Sequence, residues 1–435
     1  MIRKTLKSLD INIYTEKLNN GLEIFLVPLK DMKRYFITYA TKYGSLITEF
    51  TPHGSKKEVK VPNGVAHFLE HKMFEQSTGE DPFEFFSKTG TYVNASTGFE
   101  STRYICSGTT NFEENLKYLL SFVNQPYFTD ENVEKEKGII IEELNMYKDN
   151  PESALDDTSR KNLFQKDPHR IDIGGEREDV IKITKEDLYL CYDNFYSPHN
   201  MFVIIVGNVD VAKTEMILKD KLGILKNKYA TLPKIKKYIE PYEVAKEKEV
   251  VRFNIEVPKL CYSLKLKRKS FKIKEDFILD CYLNIILKTL FGNTSLFKEE
   301  GKQKDLYTSF AYDFDATGEY IIINFYSETT KQNELLKLIE ETLKNRDNIL
   351  NIEDFNRAIK VYIASKIKDS CYIDNISSNI YEDLINYKKV IYNKTELVRN
   401  LDYNTMLDIS KCIDINNKSI VCYVPKEDKE YQIEI

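Results

Sequence analysis

No segment of this 435-residue chain is apolar enough to cross a bilayer, because its longest apolar run, Met201 to Val206, is far too short. The first residues, MIRKTLKSLDINIY, have no apolar core, so no secretory signal is expected there. No CxxC occurs among the seven cysteines, whose count is odd and whose spacing is wide. That pattern argues against a disulfide framework and for a reduced, cytoplasmic chain. A basic excess is also missing: 63 basic and 68 acidic residues leave a net charge of −5. A dedicated nucleic-acid binder is therefore not expected. Tryptophan is absent beside 29 tyrosines and 24 phenylalanines, and no function follows from that. Histidine is lacking from the whole second half: His53, His67, His71, His169 and His199 all lie before residue 200. Chemistry that needs imidazole can sit only in the first half.

What is present is a folded composition. Hydrophobic residues make up 42% and charged residues 30%, enough for a core and too apolar for disorder. At roughly 100–200 residues per domain the length allows two to four domains. The periodicity gives strands near 21–28 and 35–43, helices near 64–76 and 81–88, and a strand pair over 91–107. Helices near 112–124 and 130–147, a helical stretch over 179–192 with Thr184 as a cap, and a buried strand at 201–206 follow.

From about residue 225 the prolines and lysines of KNKYATLPKIKKYIEPYEV read as an exposed linker. The second half then replays the first. A strand over 251–266, a helix over 274–291, strands at 306–314 and 319–327, and helices at 331–345 and 352–369 come in the same order. The expected domains are 1–228, a linker at 229–244, and 245–435. The expected fold class is α+β: two homologous sandwiches, each a mixed sheet with helices on one face.

The chemistry concentrates in Gly64-Val-Ala-His67-Phe-Leu-Glu70-His71-Lys-Met-Phe74. On a helix, residues i, i+3 and i+4 share a face. His67 and His71 can therefore hold one metal ion, and the carboxylate of Glu70 stands beside them. Three fixed residues of these types arise by chance in on the order of 1% of chains this long. A metal site needs a third ligand. The helix over 130–147 supplies candidates in Glu134, Glu136, Glu142 and Glu143. Glu136 and Glu143 lie two turns apart on one face, whereas Glu142 is turned about 100° away. The run Ile139-Ile140-Ile141 predicts burial there, and a buried carboxylate must be paired or bind metal. Glu134 reads as a surface partner of Lys135 or Lys137.

With the inverted motif, an acidic helix some seventy residues on, and the duplicated chain, the sequence resembles the M16 metallopeptidases, the family of pitrilysin, insulysin and mitochondrial processing peptidase. The likeness spans most of the chain and is strongest over 61–208, in HFLEHKMFE, TYVNASTG, EKGIIIEELNMYKDNP and FYSPHNMFVIIVGNVD. Within the short bacterial branch it is most similar to the YmfH-like and AlbF-like peptidases.

The resemblance implies a zinc endopeptidase cutting peptides or small unfolded proteins in an enclosed chamber of two clam-like halves. It implies Zn²⁺ as cofactor, held by His67, His71 and Glu143. Glu143 is preferred over Glu142 because it closes the family's E-x6-E pattern from Glu136, the supporting carboxylate. Glu70 would be the general base. The strand carrying Asn94 and Ala95 would be a sheet edge to which an extended peptide adds. The second half would help enclose substrate through an Arg and a Tyr; Tyr320 and Tyr326 are there, but no Arg is. That gap implies a homodimer or a related partner chain. Sliding the halves over each other places Ser365 near the position of Glu143. The alternative reading is a non-catalytic scaffold subunit, but such subunits lose a motif residue and this chain keeps them all. His169 and His199 are expected to be structural.

Overall fold

The computed structural model describes residues 1–6 and 9–426, so the end of the expected second half lies outside the described residues. In chain order the first strands are β1 (Ile2–Leu6), β2 (Ile11–Lys17), β3 (Glu23–Pro28), β4 (Tyr35–Thr41), β5 (Glu49–Thr51) and β6 (Val59–Lys60). Then come β7 (Tyr92–Thr97), β8 (Thr102–Gly108), β9 (Met201–Gly207) and β10 (Lys234–Ile235). The helices that build the site are α1 (Val65–Lys72), α2 (Pro82–Lys88), α3 (Phe112–Val123) and α4 (Asp130–Asp149), followed by α5 (Pro151–Leu163). The second half adds β11 (Lys248–Phe253), β12 (Lys259–Lys267), β13 (Ser309–Thr317), β14 (Tyr320–Glu328) and β15 (Lys418–Pro425).

The duplication is explicit in strand order. The first sheet runs β1-β2-β3-β9-β4-β8-β7 and the second runs β11-β15-β12-β14-β13. In the first, β3 pairs parallel with β9 and the pairs from β9 to β7 are antiparallel. In the second, β11 pairs parallel with β15 and the pairs from β15 to β13 are antiparallel. Five strands thus repeat in order and sense, and β1 and β2 extend the first copy alone. The central strands β4, β9 and β12 are buried along almost their whole length; of these β9 is an unbroken apolar run, whereas β12 carries the buried Lys265.

By contacts the chain forms two compact units: residues 1–145, 172–237 and 366–393, and residues 146–171, 238–365 and 394–435. The passage from one unit to the other at 237–238 falls within the 229–244 segment. That segment is more ordered than its composition predicts. β10 extends the small sheet β10-β5-β6, and Glu240 is buried.

Each half keeps its own helices on one face of its sheet. The opposite face is covered by one helix from the other half. In the first unit, Phe25, Phe36, Phe202 and Ile204 pack against Ile376, Ile380 and Leu384 of helix Ile373–Asn386. A buried hydrogen bond of 2.9 Å joins Thr38 and Ser377 there. In the second unit, α5 packs on β12 and β15 through Leu155, Cys261, Val421 and Tyr423.

The second unit is also pinned by a buried ion pair. Lys265, fully buried, donates to Glu240 Oε1 at 2.6 Å and to the carbonyls of Leu163 and Pro241. Glu240 accepts the backbone N–H groups of Gln165, Lys166 and Asp167. Burial opposes the charge of Glu240, but Lys265 and these three donors hold its carboxyl below the usual range. Removing one member leaves the other charge buried, a loss of ~3–5 kcal/mol. Lys265→Met is therefore expected to lower the urea midpoint strongly; a change in unfolding free energy under ~1 kcal/mol would contradict this reading.

The helical stretch expected over 179–192 is broken. Arg177–Val180 ends before Thr184, whose side chain caps Lys185–Phe195 in a reciprocal capping box with Asp187. The strand expected over 251–266 is two strands, β11 and β12, separated by residues 254–258.

Candidate metal centre and active site

Helix α1 starts at Gly64, whose φ of 83° is left-handed and whose missing Cβ would lie 2.1 Å from Gly174 O. Glycine is needed there on both counts. Val65, Ala66, Phe68 and Leu69 bury the helix in the core of the first unit. That burial turns His67 and His71 toward α4 and Glu70 toward Thr97 of β7.

On α4, Val133, Ile140 and Leu144 face the core and flank the side that carries Glu136 and Glu143. The burial predicted for the isoleucine run holds for Ile140 alone. Ile141 is half-buried and Ile139 is 51% exposed, because three successive helical residues cannot share a face. Glu142 is exposed. Glu134 pairs with Lys137 at 2.5 Å on the surface.

His67, His71 and Glu143 each offer a ligand atom, all within 4.8 Å of one another. Glu143 Oε2 lies 3.3 Å from His71 Nε2 and 3.9 Å from His67 Nε2. Two nitrogens and one carboxylate oxygen suit zinc, which takes them at about 2.0–2.2 Å and leaves a fourth position open in catalytic sites. On the far side of the ring, His71 Nδ1 meets Glu136 Oε1 at 3.1 Å, which fixes the tautomer and leaves Nε2 for a metal.

Burial first, then the charge of His71, lowers the pKa of His67 to about 4. Burial also disfavours charge on His71, but hydrogen bonds to Glu136 and Glu143 outweigh it and raise that pKa to about 9. Without a metal, one proton therefore sits on His71 at neutral pH. A ligating imidazole is neutral, so metal binding displaces that proton.

Glu70 is 8% exposed. Burial raises its pKa, while the Thr97 hydroxyl, which donates to Oε2 at 2.6 Å, works the other way. Thr97 orients this carboxylate from β7, and no sequence signal singled it out. Lys72 is the other residue that sequence reasoning missed. Its buried ammonium pairs with Glu75 and lies 3.5 Å from Glu136 Oε2. A lysine directly after the second histidine looks like a surface charge until the fold buries it.

Asn94 and Ala95 lie on β7, which ends the sheet and pairs on one side with β8. Asn94 is exposed; it donates to Tyr92 OH at 2.9 Å and accepts from Ala95 N at 2.9 Å. A cleft of about 720 Å³ opens beside Glu70 and His71, lined also by Phe74, Phe83, Asn94, Ala95 and Tyr127.

The remaining histidines have partners elsewhere. His169 Nδ1 meets Asp167 at 2.5 Å and His199 Nδ1 meets Asn227 at 2.7 Å. In the second unit the Tyr320 and Tyr326 hydroxyls donate to Glu240 O and Asp156 Oδ1, at 2.6 and 3.0 Å. Glu143 is the fourteenth residue of α4, and Ser365 is the fourteenth of the matching helix Ile352–Asp369. Among the described residues no helix is long and apolar enough to cross a membrane.

The family model Insulinase (Peptidase family M16) matches residues 45–176, and the model Peptidase M16 inactive domain matches residues 182–362. The uncharacterized zinc protease YmfH of Bacillus subtilis is 34% identical over 413 residues, 94% of each chain. The uncharacterized zinc protease YmxG of the same species is 26% identical over 322 residues, 69% of this chain and 73% of its own. Among solved structures, a putative M16-like peptidase from Alicyclobacillus acidocaldarius superposes with a TM-score of 0.88 at 27% identity. It covers 96% of this chain and 99% of its own.

Proposed function

The chain belongs to peptidase family M16, and from that membership we propose that it is a zinc-dependent endopeptidase, hydrolysing peptides or small unfolded proteins in an enclosed chamber. The observation that carries the reading is the convergence of His67, His71 and Glu143 around one point, with Glu70 on the same helix face. These three residues would hold Zn²⁺. When bound, zinc supplies Lewis acidity that polarises the scissile carbonyl and makes the attacking water more acidic. Glu70 takes that water's proton and passes it to the leaving amine. Burial raises its pKa above the usual carboxylate value and the Thr97 hydroxyl orients it, which suits a group that accepts a proton and passes it on.

Glu136 holds His71 in register, and Lys72 holds Glu136. The free edge of β7 is the place for an extended substrate, with Asn94 and Ala95 beside the cleft. Seven free thiols, five of them buried, support a cytoplasmic location.

The reading extends to a partner. The second half has Ser365 where the first has Glu143, and β14 carries no arginine. A homodimer, or a complex with a related M16 chain, would complete the substrate contacts; the same chain acting there as a non-catalytic scaffold is the alternative. Purified protein is to be incubated with an unfolded polypeptide, alone and with a related M16 chain from the same organism, and the products read by mass spectrometry. Zinc-dependent cleavage that rises at least about tenfold on pairing supports both parts. Full cleavage by the chain alone removes the obligate heterologous partner, and no cleavage in either mixture favours the scaffold.

A further inference from the structure

The second unit contains a cavity of about 320 Å³. It is built from the counterparts of the elements around the cleft beside Glu70. The end of helix Asp276–Phe291 stands for α1, helix Leu296–Gln303 for α2, β13 for β7, and helix Ile352–Asp369 for α4. Lys135 and Glu136, the sixth and seventh residues of α4, line the first cleft. Arg357 and Ala358, sixth and seventh of their helix, line the second. The duplication has kept the hollow and replaced the metal chemistry.

Its charge is opposite in sign. Lys288, Lys298 and Arg357 line it against one carboxylate, Asp354, which pairs with Arg357 at 2.7 Å. Neither Lys288 nor Lys298 forms a salt bridge among the described residues. Both are half-buried. The Lys298 ammonium sits 5.0 and 5.2 Å from the ring centroids of Tyr307 and Phe310 and 3.5 Å from Phe310 O. Burial, then the nearby charge of Lys302, holds its pKa below the usual lysine range. A partly desolvated cation with no counter-charge is unfavourable, and an anion entering the cavity would relieve it. Phe291, Phe310 and Val361 give the same cavity an apolar wall.

We propose that this cavity binds a carboxylate joined to an apolar group, with the anion between Lys288 and Lys298 and the apolar part against Phe291 and Phe310. Two sources share that chemistry: a free acid of amino-acid size and the C-terminal residue of a peptide. The site is independent of the zinc centre and does not rest on peptidase activity.

The test uses the full zinc-loaded chain and N-acetyl-phenylalanine, titrated by calorimetry or NMR, beside its uncharged amide. The acid is expected to bind at least about tenfold more tightly than the amide, the scale of a charge-assisted contact. The same loss is expected in the Lys288→Met/Lys298→Met double variant, with retention in Lys288→Arg/Lys298→Arg. A hexapeptide ending in free Phe, compared with its C-terminal amide, separates the sources. If it binds as the small acid does, the site takes peptide C-termini; if not, it takes free acids. Equal binding of acid and amide overturns the proposal. So does acid binding that survives in the double variant, including binding that disappears only on zinc removal. Should the Met variant fail to fold, the acid–amide difference measured in the zinc-stripped native chain decides, and its loss there overturns the proposal.

Discussion

Glu70→Gln is expected to lower peptide hydrolysis by about 10²–10⁴-fold, the usual contribution of a general base, while zinc content and fold stay at the native level. The substitution keeps the shape of the side chain and an oxygen that accepts the Thr97 hydroxyl, now found at 2.6 Å. It removes the group that carries the proton. Glu70 is no part of the ligand cluster, so the metal should remain. Turnover within about threefold of native would take Glu70 out of this role.

The second large effect separates two adjacent residues. Glu143→Gln is expected to release the metal, with affinity falling more than about 100-fold, because a ligand counts for more than the outer-shell partners whose loss costs 10–100-fold. Glu142→Gln should leave it bound. Glu143 Oε2 lies 3.3 Å from His71 Nε2, whereas Glu142 is exposed one residue and about 100° further round α4. Zinc in dialysed protein, measured by mass spectrometry, should be equal in the native chain and Glu142→Gln and near zero in Glu143→Gln. The reverse pattern would mean the ligand face of α4 is wrong.

The motif on α1 was legible because its three residues lie within one helical turn, where spacing alone sets the geometry. The third candidate ligand, Glu143, is not local. Helix periodicity grouped Glu136 with Glu143, but only the family likeness joined that face to α1. Thr97 and Lys72 were out of reach, since each acts through a contact between elements that sequence spacing does not encode. The isoleucine run misled for a related reason: consecutive apolar residues on a helix point in three directions, and one of them, Ile140, found the core.

The duplicated strands could be read from order and pattern. The reciprocal helices α5 and Ile373–Asn386 could not. An amphipathic helix announces that it packs, not which sheet receives it.

On the proposed function, one zinc ion held by His67, His71 and Glu143 is required for peptide cleavage. The direct measurement is to strip the metal with a chelator, return zinc in steps, and follow bound zinc and cleavage rate in the same samples. The expected result is no cleavage without metal and a rate that rises linearly and levels off at one zinc per chain. Cleavage that persists in the stripped protein, or a chain loaded with one zinc that cuts no peptide with or without a related M16 chain, would contradict the proposed function.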